Sequence, residues 1–177
     1  MATTTTDKRR TASTAQVDFR RSIEKSILEG TCADFDNDWT DIKPIRPAKV
    51  DPSFFYIKPL AVFAPHLMKK VIPDYLPCCP KCETGNFVDL KETRFVENPK
   101  PLFGMGRERE LHTVRYVCKA PGKAKHTFVA HNEESLRLGG HALFGVFRFY
   151  VAKRFAVDDA LYHFLCRNMY TPVAKLS

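Results

Sequence analysis

Cys79-Pro80-Lys81-Cys82-Glu83-Thr84-Gly85 places two thiols two residues apart, with a glycine three residues past the second. A tight turn of this kind lets both sulfurs approach one ion while backbone amides face them, as tetrahedral zinc requires. Proline stiffens the turn, and glycine can supply positive φ at its exit. A third thiol ends Arg115-Tyr116-Val117-Cys118, and His126 and His131 follow it beyond a lysine-rich turn. Together these residues suggest one closed zinc site made by Cys79, Cys82, Cys118 and His126. His131, His112 and Cys78 are alternatives for the fourth place. Cys78 otherwise reads as a small buried hydrophobe or a spare thiol.

Other uses of these residues fit less well. A redox dithiol usually begins a helix after a buried strand, whereas Pro77 precedes this pair and Thr84-Gly85-Asn86 turns away after it. A disulfide framework is not expected, because no secretory segment precedes the six cysteines. Reduced thiols in an intracellular compartment, the nucleus included, are the default. Lys8-Arg9-Arg10 alone is too short for a nuclear signal and reads as solvated tail. A zinc deaminase needs His-x-Glu ahead of its Pro-Cys-x-x-Cys, and two-metal nuclease chemistry needs clustered carboxylates. Neither pattern occurs, so no enzyme is expected.

Working outward, Glu110 to Cys118 alternates apolar and polar residues and reads as a strand delivering Cys118 to the metal. His126-Thr127-Phe128-Val129 returns as its partner, and Phe87 to Glu92 and Thr93 to Val96 are strand-compatible. Leu60 to Ala64, bracketed by Pro59 and Pro65, is apolar enough for a buried strand, and Phe54 to Ile57 is strand-like. Asn98 to Pro101 and Gly104 to Gly106 read as loops. Asn132 can cap a helix with Glu133 and Glu134 in its first turn, broken at Gly139-Gly140. The aromatic run from His141 to Val151 reads as a further helix. A last helix follows Asp158 and Asp159, with Leu161, Phe164 and Leu165 inward and Cys166 in the core. The expected class is therefore α+β: a small antiparallel, zinc-ribbon-like sheet with C-terminal helices packed on it.

The 177 residues suggest one compact domain plus tails. Residues 1–16 carry almost no apolar content and are expected to be a disordered basic tail. Residues 17–52 read as a short amphipathic helix, ending at Gly30, and an acidic, proline-rich linker. In that linker Asp34, Asp36, Asp38 and Asp41 surround the only tryptophan, Trp39. Their alternation is that of a calcium loop without its glycine or terminal Glu, so a solvated segment is expected. Residues 53–170 form the domain and 171–177 a tail. No apolar run approaches the roughly 20 residues of a membrane span, and the net charge of +8 favours anionic partners, nucleic acid above all.

The order of Cys79-Pro80-x-Cys82, Arg115-Tyr116-x-Cys118, Thr127-Phe128 and the tail Phe149 to Asp158 resembles an uncharacterised eukaryotic family of zinc-ribbon-like domains. Members often stand ahead of a 3′–5′ exonuclease or in transposon-derived proteins. The likeness covers Phe54 to Arg167 and implies an accessory module of strands, metal and helices. It departs in two places. Position 121 is proline where the family's second arm has Cys-x2-Cys, so one thiolate is missing; His126 can replace it, with His131 and His112 as runners-up. No exonuclease region lies within the 177 residues.

Two functions are expected to compete. In the first, a non-catalytic zinc module binds nucleic acid, with Arg107, Arg109, Arg115, Lys119, Lys123 and Lys125 facing phosphates. Tyr116 or His112 would stack on a base. In the second, the Phe-rich stretch from Phe144 to Tyr150 docks a protein partner, and the zinc is purely structural. Such aromatic spacing is first of all a burial signal.

Overall fold

The computed structural model describes residues 13–45, 52–106 and 108–170. Most of the two expected tails, together with Arg107, lie outside them. Strand β4 (Arg109–Cys118) is the axis of the molecule. Its first half pairs in parallel with β1 (Leu60–Phe63) and antiparallel with β3 (Lys100–Phe103). Its second half pairs antiparallel with β2 (Val88–Phe95) on one side and β5 (His126–Val129) on the other. β3 continues the sheet to β7 (Ala156–Asp158), which pairs with β6 (Phe149–Val151). The α+β class stands, but the sheet has seven strands and is mixed, not small and antiparallel. Its two parallel pairings, β1 with β4 and β3 with β7, make the difference.

β1 shows why Leu60-Ala61-Val62-Phe63 is uninterrupted: all four residues are fully buried, and only a strand covered on both faces tolerates such a run. β4 buries every residue from Leu111 to Cys118 except Arg115. The core around them includes Trp39, Phe63, Phe147 and Phe149. Ring centroids lie 5.3 Å apart for Trp39 and Phe63 and 4.5 Å apart for Phe63 and Phe147.

Five α-helices lie among the described residues: α1 (Thr14–Leu28), α2 (Ala33–Asn37), α3 (Glu133–Leu138), α4 (Gly140–Val146) and α5 (Asp159–Tyr170). Ser13 caps α1 by accepting from the Gln16 amide, so the helix begins inside the stretch expected to be tail. α1 is clasped to β4 by polar side chains. Arg20 donates twice to Glu110 at 2.7 Å, Gln16 also reaches Glu110, and Glu24 meets His112 at 2.6 Å.

The acidic segment is not a linker. Phe35 and Trp39 are buried, Val62 donates its amide to the Trp39 carbonyl at 2.8 Å, and Ile42 bridges to Leu60. The Asp side chains lie at or near the surface because Phe35, Trp39 and Ile42, spaced by four and three, turn inward. Four further expectations are corrected. A 3₁₀ turn over Pro52–Tyr56 takes the place of the strand expected from Phe54 to Ile57, and Lys100 and Pro101, expected in a loop, begin the strand Lys100–Phe103. Phe149–Val151 leaves the aromatic helix to become β6. On α5, Phe164 and Leu165 are half exposed, so they do not form its inner face. Asn132 does cap α3, accepting from the amides of Glu134 and Ser135.

Candidate metal centre

Residues 79–84 form the first arm. The amides of Cys82 and Glu83 both donate to the Cys79 carbonyl, and Cys79 itself bridges to Thr84. This folds the chain tightly enough to bring two thiols to one point. The positive φ that the turn requires falls on Glu83, at 53°, and not on glycine. Gly85 has another role: a Cβ there would stand 3.0 Å from the Pro77 carbonyl oxygen, so the close approach of two backbones excludes a side chain. Glu83→Gly relieves the left-handed strain without disturbing the thiols. It is expected to raise unfolding stability by up to about 1 kcal/mol, measured by denaturant titration with metal bound.

The second arm is the end of the β4–β5 hairpin, where Cys118 and His126 are direct cross-strand partners. Register alone places this thiol and this imidazole together, and Val88 on β2 holds Cys118 from the other side. The Sγ atoms of Cys79, Cys82 and Cys118 and a ring nitrogen of His126 all lie within 4.8 Å of one another, a set that can hold a metal ion. Cys82 and Cys118 are 3.8 Å apart. A tetrahedron with zinc–sulfur arms of about 2.3 Å has edges of about 3.8 Å. That separation is nearly twice the S–S bond of a disulfide, and all six cysteines are free.

The surroundings suit the task. His126 Nδ1 lies 3.2 Å from the Ala124 carbonyl oxygen, which aims Nε2 at the thiols, 2.9 Å from Cys79 Sγ. An imidazole anchored through its other nitrogen is the usual state of a metal-binding histidine. Burial pushes the Cys79 thiol up. The His126 hydrogen bond and the Lys81 and Cys82 amides outweigh it, bringing Cys79 down to about 7. Burial raises Cys118 as well, and there the neighbouring thiols add to the rise, to about 11. Without a cation, one thiolate forms readily and the next is penalised. A divalent ion removes that penalty.

The alternatives for the fourth place lie outside the cluster. His112 is buried against Glu24 and stacks on Phe95 at 5.0 Å. His131 lies outside the cluster, and burial lowers it to about 4, keeping it neutral. Cys78 stays half-buried beside the cluster without joining it.

The six residues expected to face phosphates divide. Arg109 is turned inward, held by Asp158 at 2.7 Å and the Thr40 carbonyl at 3.1 Å, so it ties β4 to β7 and presents nothing to a ligand. Lys119 bridges Asp89 and Glu92, Lys125 meets Glu92, and Lys123 lies 4.0 Å from Cys82 Sγ. Arg115 remains exposed on β4, and Arg107 is outside the described residues. Neither proposed stacking residue is available: Tyr116 is fully buried with its hydroxyl 3.0 Å from His66 Nδ1, and His112 is equally enclosed. In the Phe-rich stretch Phe147 is core, while Phe144 and Tyr150 face outward. Reading the sequence missed Arg94, which the β2–β4 register sets directly opposite Arg115. No local pattern announces such a pairing.

No helix among the described residues is long and apolar enough to cross a membrane. No family model matches the chain, and no curated protein or solved structure is significantly similar to it.

Proposed function

We propose that the chain is a non-catalytic zinc module that binds nucleic acid, accessory to a nuclease or transposon-type system. The closed donor set of three thiols and one anchored imidazole carries the metal reading. Four protein ligands of these types favour zinc and leave no position for a substrate water. The net charge of +8 supports an anionic partner, and the motif order resembling zinc-ribbon-like accessory domains supports the wider role. The test is elemental analysis of the purified protein, followed by oligonucleotide binding at graded salt. One zinc per chain and affinity that falls steeply with salt are expected. Zinc with no binding at low salt leaves a structural metal only.

A second reading has its own observation. Phe144, Tyr150, Phe164 and Leu165 are exposed, which favours a protein partner with a structural zinc. Association insensitive to salt would distinguish it.

Metal retention should depend on pH in one direction. Below pH 7 protons occupy both Cys79, held at about 7, and Cys118, raised to about 11, so zinc must displace both. Apparent affinity is expected to fall more than tenfold per pH unit there, as read by chelator competition. His126→Ala leaves three thiolates and, as loss of a direct ligand, should weaken affinity at neutral pH by more than the roughly 100-fold of an outer-shell change, whereas His131→Ala and His112→Ala should not alter it. Loss of zinc from His131→Ala with retention by His126→Ala would overturn the ligand set.

A further inference from the structure

A groove of about 520 Å³ runs along the face shared by β2, β4 and β5. That volume is in the range of ligand sites. Arg94 and Arg115 both line it, and they are Cα partners on antiparallel strands, so their side chains leave the sheet on the same face. Like charges directly opposite one another weaken a strand pair. Acids stand close by, yet they do not relieve this one. Asp89 and Glu92 are taken up by Lys119 and Lys125. Arg94 reaches only the carbonyls of Lys91 and Thr93, at 3.5 and 3.4 Å, and among the described residues Arg115 has no side-chain partner. The lysines thus neutralise Asp89 and Glu92, while Glu97 also lines the groove with no ion pair to either arginine among the described residues, and two planar forks stand over one trough. Below them the floor is apolar, made by Leu111, Val117 and Val129, and the buried His131 Nδ1 has no hydrogen-bond partner.

We propose that this groove seats single-stranded nucleic acid, with Arg94 and Arg115 gripping its phosphodiester backbone. The proposal rests on the nucleic-acid reading above and moves the contact surface from the lysine turn to the arginine pair. Guanidinium forks bind phosphate bidentately where ammonium groups act as point charges. An anion between the two arginines also turns their mutual repulsion into shared attraction. Duplex DNA is read by convex elements that enter its grooves. A concave trough with an apolar floor suits a strand whose bases are free to lie against it.

The experiment is fluorescence anisotropy with labelled oligothymidylate and oligouridylate of about 12 nucleotides, titrated across a salt series on the intact zinc-loaded chain. Arg94→Gln/Arg115→Gln is expected to lose about tenfold or more in affinity per arginine. Its salt slope should fall by about 1.4, with zinc content unchanged. Should that variant prove unstable, Arg94→Lys/Arg115→Lys keeps the charge and loses the forks, and its affinity should still drop. Arg94→Glu separates binding from folding: it should abolish binding yet melt about 1–3 °C higher, since it faces Arg115 with an opposite charge. If the arginine variants bind like wild type while Lys119→Gln/Lys125→Gln loses affinity, the groove assignment falls and the nucleic-acid reading stands. If wild type binds neither oligonucleotide at low salt, both fall. Arginine-dependent binding of a phosphotyrosine peptide, with none of the oligonucleotides, makes the groove a phosphopeptide site and overturns the proposal.

Discussion

Cys118→Ser is expected to strip the metal and unfold the end of the sheet where β2, β4 and β5 meet. Cys118 is fully buried, belongs to the core, and is held by strands on both sides. A serine there leaves two thiols, an imidazole and a buried hydroxyl. Affinity should fall well beyond the roughly 100-fold that outer-shell changes cost. Because metal binding free energy is also folding free energy, the loss should extend to stability. Chelator competition and thermal melting measure the two effects. Cys79→Ser should behave alike, whereas Cys78→Ser, outside the cluster, should retain zinc. Full zinc occupancy in Cys118→Ser would sink the site.

Trp39→Ala is expected to cost about 3–5 kcal/mol, the range for removing a large buried aromatic residue. Trp39 is 6% exposed and packs on Phe63 and on Phe149, at 5.3 and 5.5 Å between ring centroids. Its carbonyl also accepts from Val62. Truncation therefore opens a cavity against β1 and β6 together. Chemical denaturation of wild type and variant gives the difference. A change under about 0.5 kcal/mol, normal for a solvated surface position, would restore the linker reading.

That residue shows what the sequence concealed. Four aspartates gave the segment the composition of a solvated linker, but Phe35, Trp39 and Ile42 recur at intervals of four and three. The burial pattern was present, outweighed by charge. The strands around the metal were legible because their signals are local: an apolar run in β1, alternation toward Cys118, and a hairpin from Cys118 to His126. β3 was hidden by its prolines. Pro101 is tolerated in the strand because the β7 pairing begins only at Leu102, so no ladder bond is missing on that side. The β1–β4 and β3–β7 pairs join segments about 50 residues apart, and no window of sequence displays them. The thiols and His126 were found from spacing. Arg94 was not, since its significance lies in a register shift: a step of five along β2, from Asp89 to Arg94, matches a step of two along β4, from Val117 to Arg115.

Because a single strand supplies ladder partners to β1, β2, β3 and β5, the order of synthesis matters. β1, β2 and β3 all leave the ribosome before β4, and Leu60 waits for Glu110, 50 residues later. At about 5–20 residues per second that interval lasts roughly 3–10 s. During it the first two cysteines are already out, while the third and the histidine are still to come. The metal therefore cannot guide early folding. It seals a sheet that β4 must first assemble, and a nascent chain arrested before Arg109 would carry β1, β2 and β3 without their common partner, the wholly apolar β1 among them, a species suited to chaperone capture or aggregation.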